Sequence, residues 1–487
     1  MELKTYLKEN WIKEQSSELN EKELNDPLYQ AEEELAETPA YFFDQDRFAA
    51  RVEKVKEALG ADIPLTYSIK ANPFLLNCLP EGIAHVEVCS PGELTICQRM
   101  GIAPEKIIYS GVMKERTDIR RAFMYGCGIV TAESMLHVRM ENDLAEGMGI
   151  QKVLLRLTSG NQFGMSEEDI EYLISHKENF PNLEFYGIHY YSGTQKKKIK
   201  QIEKDMFHLT EFLSLLEEKY GYDPKLVEYG PGLAAEYFEA PYEKKDLELL
   251  KDAAVILAGF AVSFPLGIEM GRFLAAPCGT YVTQVKDLKY SNETNYVICD
   301  GGIHHLKYYG QTMAMQVPSI FTIAGLGERD GSVRGMQRAV GKAEQQEKEK
   351  GSGIFPWKKL AGKSGSVAKE RLSGSDEATE EKVLSVMEAI SEENDYCICG
   401  SLCTVADILV REAHLPALHV GDYLGFERCG AYSVTEGSVL FLSRKMPRIY
   451  LFSQKEGARL LRDFVAADKL NMADPLKACL SGVALWN

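Results

Sequence analysis

The chain has 487 residues, 45% of them apolar and 26% charged, and a formal net charge of -17. That length predicts two or three structural units, and the composition is that of a soluble globular chain rather than a disordered one. The negative charge, with no basic tract joined to an aromatic module, disfavours nucleic-acid binding. The sequence has no apolar run of about 18 residues and no apolar secretory core near MELKTYLKENWIKEQSSELNEKEL, so the expectation is a cytoplasmic protein outside the membrane. Its eleven cysteines are an odd number, and several, such as Cys127 and Cys299, sit in apolar contexts. Reduced thiols fit better than a disulfide framework.

The first forty residues are polar and acidic, and Pro39 then precedes a strand-like AYFF. Residues 46–59 have the spacing of an amphipathic helix, and PLTYSIKANP supplies a short strand with Lys70 near its C-terminal end. The same rhythm returns in HVEVCS, KIIYSG, GIVTAE, KVLLRLT, FYGIHYYSG, KLVEYGPG and VILAGFAVSF. Seven or eight such units predict a (β/α)8 barrel, with a doubly wound sheet as the alternative. After Arg272 the helical intervals fade, and YVTQVKDLKY, NYVICDGG, DYCICG, LHVGDYLGFE and VLFLSR predict an all-β domain. Residues 324–381 interrupt it with Gly, Ser, Lys, Arg and Glu. They read as an inserted mobile loop with a helix near EEKVLSVMEAI, or as a small ordered lobe.

A lysine at the C-terminal mouth of a barrel strand is placed for catalysis, and Asn72 and Pro73 end that strand just after Lys70. Alone, Lys70 reads as an ordinary solvated or paired lysine. Gly230, Pro231 and Gly232 follow one late strand, and Gly271 and Arg272 follow another. Glycines there let backbone N–H groups approach a phosphate, and Arg272 adds a charged fork. Each loop alone also reads as a plain turn; together with the early lysine they point to a phosphate-bearing cofactor. Cys403, in DYCICGSLC, reads as a small hydrophobe. Cys397 and Cys399 share one strand face but lack the further cysteine pair or histidines of a zinc site, so no metal is expected.

Ten segments carry a specific resemblance: TPAYFFD (38–44), YSIKANP (67–73), VEVCSPGEL (86–94), GIHYYSGTQ (187–195), YGPG (229–232), EMGR (269–272), CDGG (299–302), LCTVAD (402–407), VGDYLGFERCGAY (420–432) and FLSRKMPRIY (441–450). In that order they resemble the ornithine and diaminopimelate decarboxylase family, enzymes with an alanine-racemase-like barrel that binds pyridoxal 5'-phosphate (PLP), plus a β domain. The resemblance implies a barrel over 45–272 and a β domain built from 1–44 and 273–487. It implies that Lys70 carries PLP as a Schiff base and that Glu269 keeps the pyridine nitrogen protonated. Gly230, Gly232, Gly271, Arg272 and the Gly193-Thr194 turn would receive the phosphate, Tyr432 would close over it, and Tyr190 would stack on the ring. Cys403 would come from a neighbouring subunit to return a proton to Cα, which implies a homodimer with shared sites. The expected activity is that of a carboxy-lyase releasing carbon dioxide from an L- or meso-amino acid.

Departures from the family pattern bear on the substrate. Tyr190 stands where histidine is frequent, Glu87 replaces an aspartate near the substrate, and Gln162 replaces a lysine that would pair across subunits with Asp407. Thr404 occupies the position after Cys403 where the ornithine enzyme has aspartate and the diaminopimelate enzyme glutamate. A neutral hydroxyl cannot match a buried distal ammonium. Residues 329–371 carry eleven basic and five acidic side chains, a positive segment in an acidic chain. A free amino acid with an uncharged tail and an aminoacyl group tethered to an acidic carrier protein are both compatible with these features. A same-fold racemase and a nonenzymatic PLP-binding regulatory protein are the remaining alternatives.

Overall fold

The computed structural model describes residues 1–12, 38–325 and 394–473. Eight parallel strands close into a barrel: β2 (Leu65–Ser68), β3 (His85–Val88), β4 (Ile107–Tyr109), β5 (Ile129–Ala132), β6 (Gln151–Leu157), β7 (Leu183–Tyr191), β8 (Leu226–Gly230) and β9 (Leu266–Met270). Closure is between β9 and β2, with Leu65 opposite Ile268 and Thr66 opposite Glu269. Local chemistry starts and stops the flanking helices. Asp44 caps helix Gln45–Leu59 by accepting from the Asp46 and Arg47 amides, and Gly60, at φ +94°, ends it. Its buried Phe48, Val52, Val55 and Leu59 recur at helical spacing and face the barrel. Ser90, Ser134 and Ser166 cap three later helices in the same way.

The second unit is a nine-stranded sheet. Its main path runs β14 (Ile408–Leu415), β13 (Asn394–Cys399), β11 (Thr294–Cys299), β10 (Gly279–Ser291), β1 (Ala40–Asp44), β16 (Arg448–Ser453) and β17 (Gly457–Arg462). Off this path, β15 (Tyr423–Glu427) joins β10 to β12 (Ile320–Ile323). β1 lies between β10, antiparallel, and β16, parallel, so a segment before the barrel completes a sheet built largely from the chain after it. β1 is buried on both faces. Tyr41 and Phe43 pack into the core shared with the barrel, while Ala40 and Phe42 face a second cluster with Leu3, Leu7, Trp11 and Ile12.

Two apolar runs differ from their strand-like reading. VILAGFAVSF belongs mostly to helix Tyr242–Ala261, whose buried Leu250, Ala253, Ala254, Leu257 and Phe260 keep a helical period; the strand forms later, at Leu266–Met270. VLFLSR forms a short turn at Phe441–Ser443 rather than a strand, with Leu440, Phe441 and Leu442 exposed. The expected insertion at 324–381 falls outside the described residues except for Ala324 and Gly325, and so does its expected helix.

One buried ion cluster ties the two units together. Asp246 Oδ2 accepts from Arg51 Nη2 at 2.8 Å and from Arg428 Nη2 at 2.5 Å, and the Asp246 and Arg51 side chains are only 1% and 2% exposed. Asp246 and Arg51 lie on barrel helices, while Arg428 follows β15. Removing one partner strands buried charge, so Asp246→Asn is expected to destabilise the protein by about 3–5 kcal/mol. Urea unfolding checks this: the midpoint should fall clearly below that of the unmodified chain.

Candidate active site

The C-terminal ends of β2, β3, β7, β8 and β9 bring together charges that lie far apart in sequence. Lys70, in the turn after β2, places Nζ 2.5 Å from Glu87 Oε2 on β3, 3.4 Å from Glu269 Oε1 on β9, and 3.5 Å from Cys89 Sγ. Burial opposes its charge, but the Glu87 and Glu269 carboxylates outweigh that and hold the amine well above the ordinary lysine range. Glu269 also accepts from Ser68 Oγ at 2.7 Å and meets His189 Nε2 at 3.1 Å. Burial works against its ionisation; Lys70, His189 and Ser68 nevertheless hold the carboxyl well below its usual range. Burial and the neighbouring Glu87 push the Cys89 thiol up.

Beside this cluster is a cationic cradle. Arg272 donates to Tyr237 Oη at 3.2 Å and lies 4.5 Å from the Tyr432 ring centre and 4.6 Å from that of Tyr309. Its Nε is buried without an acceptor, and no carboxylate among the described residues pairs with it. The loops after β7 and β8 touch backbone to backbone: a Cβ on Gly232, which adopts φ +59°, would come within 1.9 Å of the Gly193 oxygen. Only glycine permits that approach. An unpaired arginine beside glycine loops on late barrel strands fits a phosphate group, and the neighbouring amine fits an aldehyde. The residues present therefore suit PLP.

The sheet domain completes the pocket. Tyr432, at φ +66°, donates its amide to the Ala71 oxygen at 2.7 Å, and Asn72 Nδ2 donates to the Gly430 oxygen at 2.9 Å. Two models of one family match this chain, "Pyridoxal-dependent decarboxylase, pyridoxal binding domain" at residues 45–276 and "Pyridoxal-dependent decarboxylase, C-terminal sheet domain" at residues 366–430. The chain belongs to the pyridoxal-dependent decarboxylase family. It is a PLP-dependent carboxy-lyase. The decarboxylase is similar to the L-glutamyl-[BtrI acyl-carrier protein] decarboxylase of Niallia circulans, 26% identical over 461 residues, with 89% of this chain and 93% of that protein covered. It is also similar to the diaminopimelate decarboxylase of Aquifex aeolicus, 28% identical, with 56% of this chain and 69% of that protein covered. The solved diaminopimelate decarboxylase of M. jannaschii in co-complex with L-lysine shares the fold at a TM-score of 0.68 and 19% identity, over 90% of this chain and 93% of that one.

The other residues singled out from the decarboxylase sequence fall into four groups. Glu87, Gly230, Gly232, Gly271, Arg272 and Tyr432 join Lys70 and Glu269 around one pocket. Tyr190 does not: it is buried against Tyr229 and His208, on the helix-facing side of β7. Strand alternation instead turns Tyr191 and His189 inward, and the Tyr191 ring lies so close to Gly230 that a Cβ there would meet it at 2.6 Å. Cys403 and Thr404 lie on an exposed four-residue tip, Cys403–Ala406, in which Val405 is 95% exposed. Asp407 is buried, and its carboxylate accepts the Leu402 and Ile303 amides at 2.7 and 2.8 Å, so it shapes this loop. The sequence reading missed Ser68, His189, Tyr191, Tyr237 and Tyr309. Period-two alternation counted from Gly187 would have found His189 and Tyr191.

An amine must shed its proton before it can capture PLP, and Lys70 presents the amine of this pocket. Because neighbouring carboxylates stabilise its charged form, PLP uptake by apoenzyme is expected to be slow at neutral pH and to accelerate as pH rises. Glu87→Gln removes one of those charges and should speed uptake at pH 7–8, by about tenfold for each pKa unit lost. Stopped-flow absorbance of PLP mixed with apoenzyme measures this; uptake that is unchanged or slower in the variant contradicts it.

Proposed function

We propose that this decarboxylase removes the α-carboxylate of an L-aminoacyl group joined through its distal end to an acidic carrier protein, at a site shared between two subunits. Decarboxylation needs a free α-carboxylate and α-amine, so the tether must use the side-chain end of the substrate. Thr404 carries this reading. It offers a neutral hydroxyl where a free basic amino acid would need a carboxylate, and an amide or thioester needs no counter-charge. The positive segment 329–371 is complementary to an acidic carrier. The similarity to a carrier-protein decarboxylase over 89% of the chain points the same way.

In this reading Lys70 anchors the cofactor, and Arg272 with the Gly193 and Gly230–Gly232 turns holds its phosphate. Tyr191 supplies an aromatic wall. PLP, when bound, supplies the electron sink for the charge left at Cα as carbon dioxide leaves. Glu269 is held anionic and oriented by His189 and Ser68, so it keeps a proton on the ring nitrogen through charge and hydrogen bonding. Cys403 on its exposed tip is available to a second subunit, where its thiol returns a proton to Cα. Asp407 fixes the base of that tip through the Leu402 and Ile303 amides.

Carbon dioxide release from a carrier-tethered L-glutamyl group and from free glutamate, ornithine and meso-diaminopimelate tests the substrate. The tethered form should be favoured by about 100-fold or more in kcat/KM, and replacing residues 329–371 with a short flexible linker should raise its KM and remove its salt sensitivity. Equal turnover of free substrate, indifferent to the segment, sinks the carrier reading. Cys403→Ala should lower turnover about 10²–10⁴-fold while retaining PLP. Mixing it with Lys70→Ala subunits should restore activity through one intact composite site; demonstrated heterodimers without restoration would contradict the shared site.

A further inference from the structure

The sheet domain contains a cavity outside the PLP pocket. It has a volume of about 170 Å³ and is lined by Tyr41, His304, His305, Thr435 and Arg462, among others. Its polar wall is largely satisfied: Tyr41 Oη donates to the His305 oxygen at 2.5 Å, and the His305 ring meets Tyr281 Oη at 3.2 Å and the Lys445 oxygen at 3.0 Å. Two lining groups stand apart. His304 is fully buried, and neither ring nitrogen has a partner. Arg462 donates from Nη2 to the Pro447 oxygen at 3.0 Å and lies over the Phe74 ring, but its Nε is buried without an acceptor.

Among the residues that line this cavity, Arg462 alone carries a full charge at neutral pH. No carboxylate among the described residues pairs with Arg462, and the ionised neighbour acting on His304 is Arg444. Burial, with Arg444 adding to it, pushes the His304 imidazole down to about 4, so it faces the cavity neutral, with one N–H to donate. Water can satisfy the orphaned hydrogen bonds but cannot neutralise the charge of the half-buried Arg462 guanidinium, whose Nε is cut off from solvent. The volume equals roughly five or six waters at about 30 Å³ each, room enough for a small ligand.

We infer that this cavity binds a small oxyanion, a carboxylate or phosphate, held by Arg462 Nε and a His304 ring N–H, with the Thr435 hydroxyl on its wall. An anion there pairs the free cation and fills both orphaned positions at once. His304 follows Ile303 directly, and the Ile303 amide fixes Asp407 at the base of the Cys403 tip; Arg444 donates to the Ser401 oxygen of the same loop at 2.9 Å. An anion in the cavity would therefore stiffen the segment that carries Cys403. The site is independent of the substrate assigned above.

Thermal unfolding of PLP-loaded enzyme, titrated with inorganic phosphate or with acetate at constant ionic strength set by sodium chloride, tests the site. One of the two anions should raise Tm saturably by a few degrees, with half-saturation near the millimolar range. Arg462→Met should weaken that response by at least about tenfold while PLP absorbance is retained. A response that never saturates, or one identical in the variant, overturns the proposal. Should the variant fail to fold, the ring 15N spectrum of histidine-labelled native enzyme decides, with His304 assigned through His304→Gln. The His304 titration should move upward when the anion is added; a titration insensitive to both anions overturns the site.

Discussion

The amine of Lys70, wedged between Glu87 and Glu269, is the interaction around which the rest of the protein is organised. An ammonium in that position requires anionic neighbours, and both carboxylates arrive on barrel strands that only a closed sheet brings together. β3 and β9 each pair with β2, so Lys70 lies between the strands that carry its partners. His189 and Ser68 then fix the orientation of Glu269, leaving a polarised floor below the space where a cofactor ring would lie. The unpaired Arg272 lies at the other end of that space. The separation of a carboxylate-rich floor from a lone guanidinium gives the pocket a direction, and PLP, with a ring nitrogen at one end and a phosphate at the other, matches it.

The barrel alone cannot finish this pocket. Gly430–Tyr432 reaches over from the sheet and hydrogen-bonds to the turn that carries Lys70, while Arg51, Asp246 and Arg428 hold the two units in register. β1 secures the same arrangement from the other direction, because this segment before the barrel is held between strands that come after it. Cys403 is left on an exposed tip whose base is tied down by Asp407.

Much of this was legible in sequence where chemistry is local. YSIKANP places a lysine at a strand end, YGPG and EMGR place glycines and an arginine at turns, and each signal spans only a few residues. Strand parity was less legible: Tyr190 and Tyr191 are adjacent aromatics, and a slip of one residue exchanges the helix-facing ring for the pocket-facing one. VILAGFAVSF misled because its apolar composition suits a strand while its period suits the helix it ends. Tyr237, Tyr309 and the Asp246 cluster were hidden for a different reason. Their partners are brought in by tertiary packing, and no local pattern marks them.

We infer that Lys70 is the attachment point for PLP. The most direct measurement is borohydride reduction of PLP-loaded enzyme followed by peptide mapping by mass spectrometry. The account predicts a single phosphopyridoxyl adduct on the peptide containing Lys70, absent from a folded Lys70→Ala variant. An adduct on another lysine, with Lys70 unmodified, would contradict it.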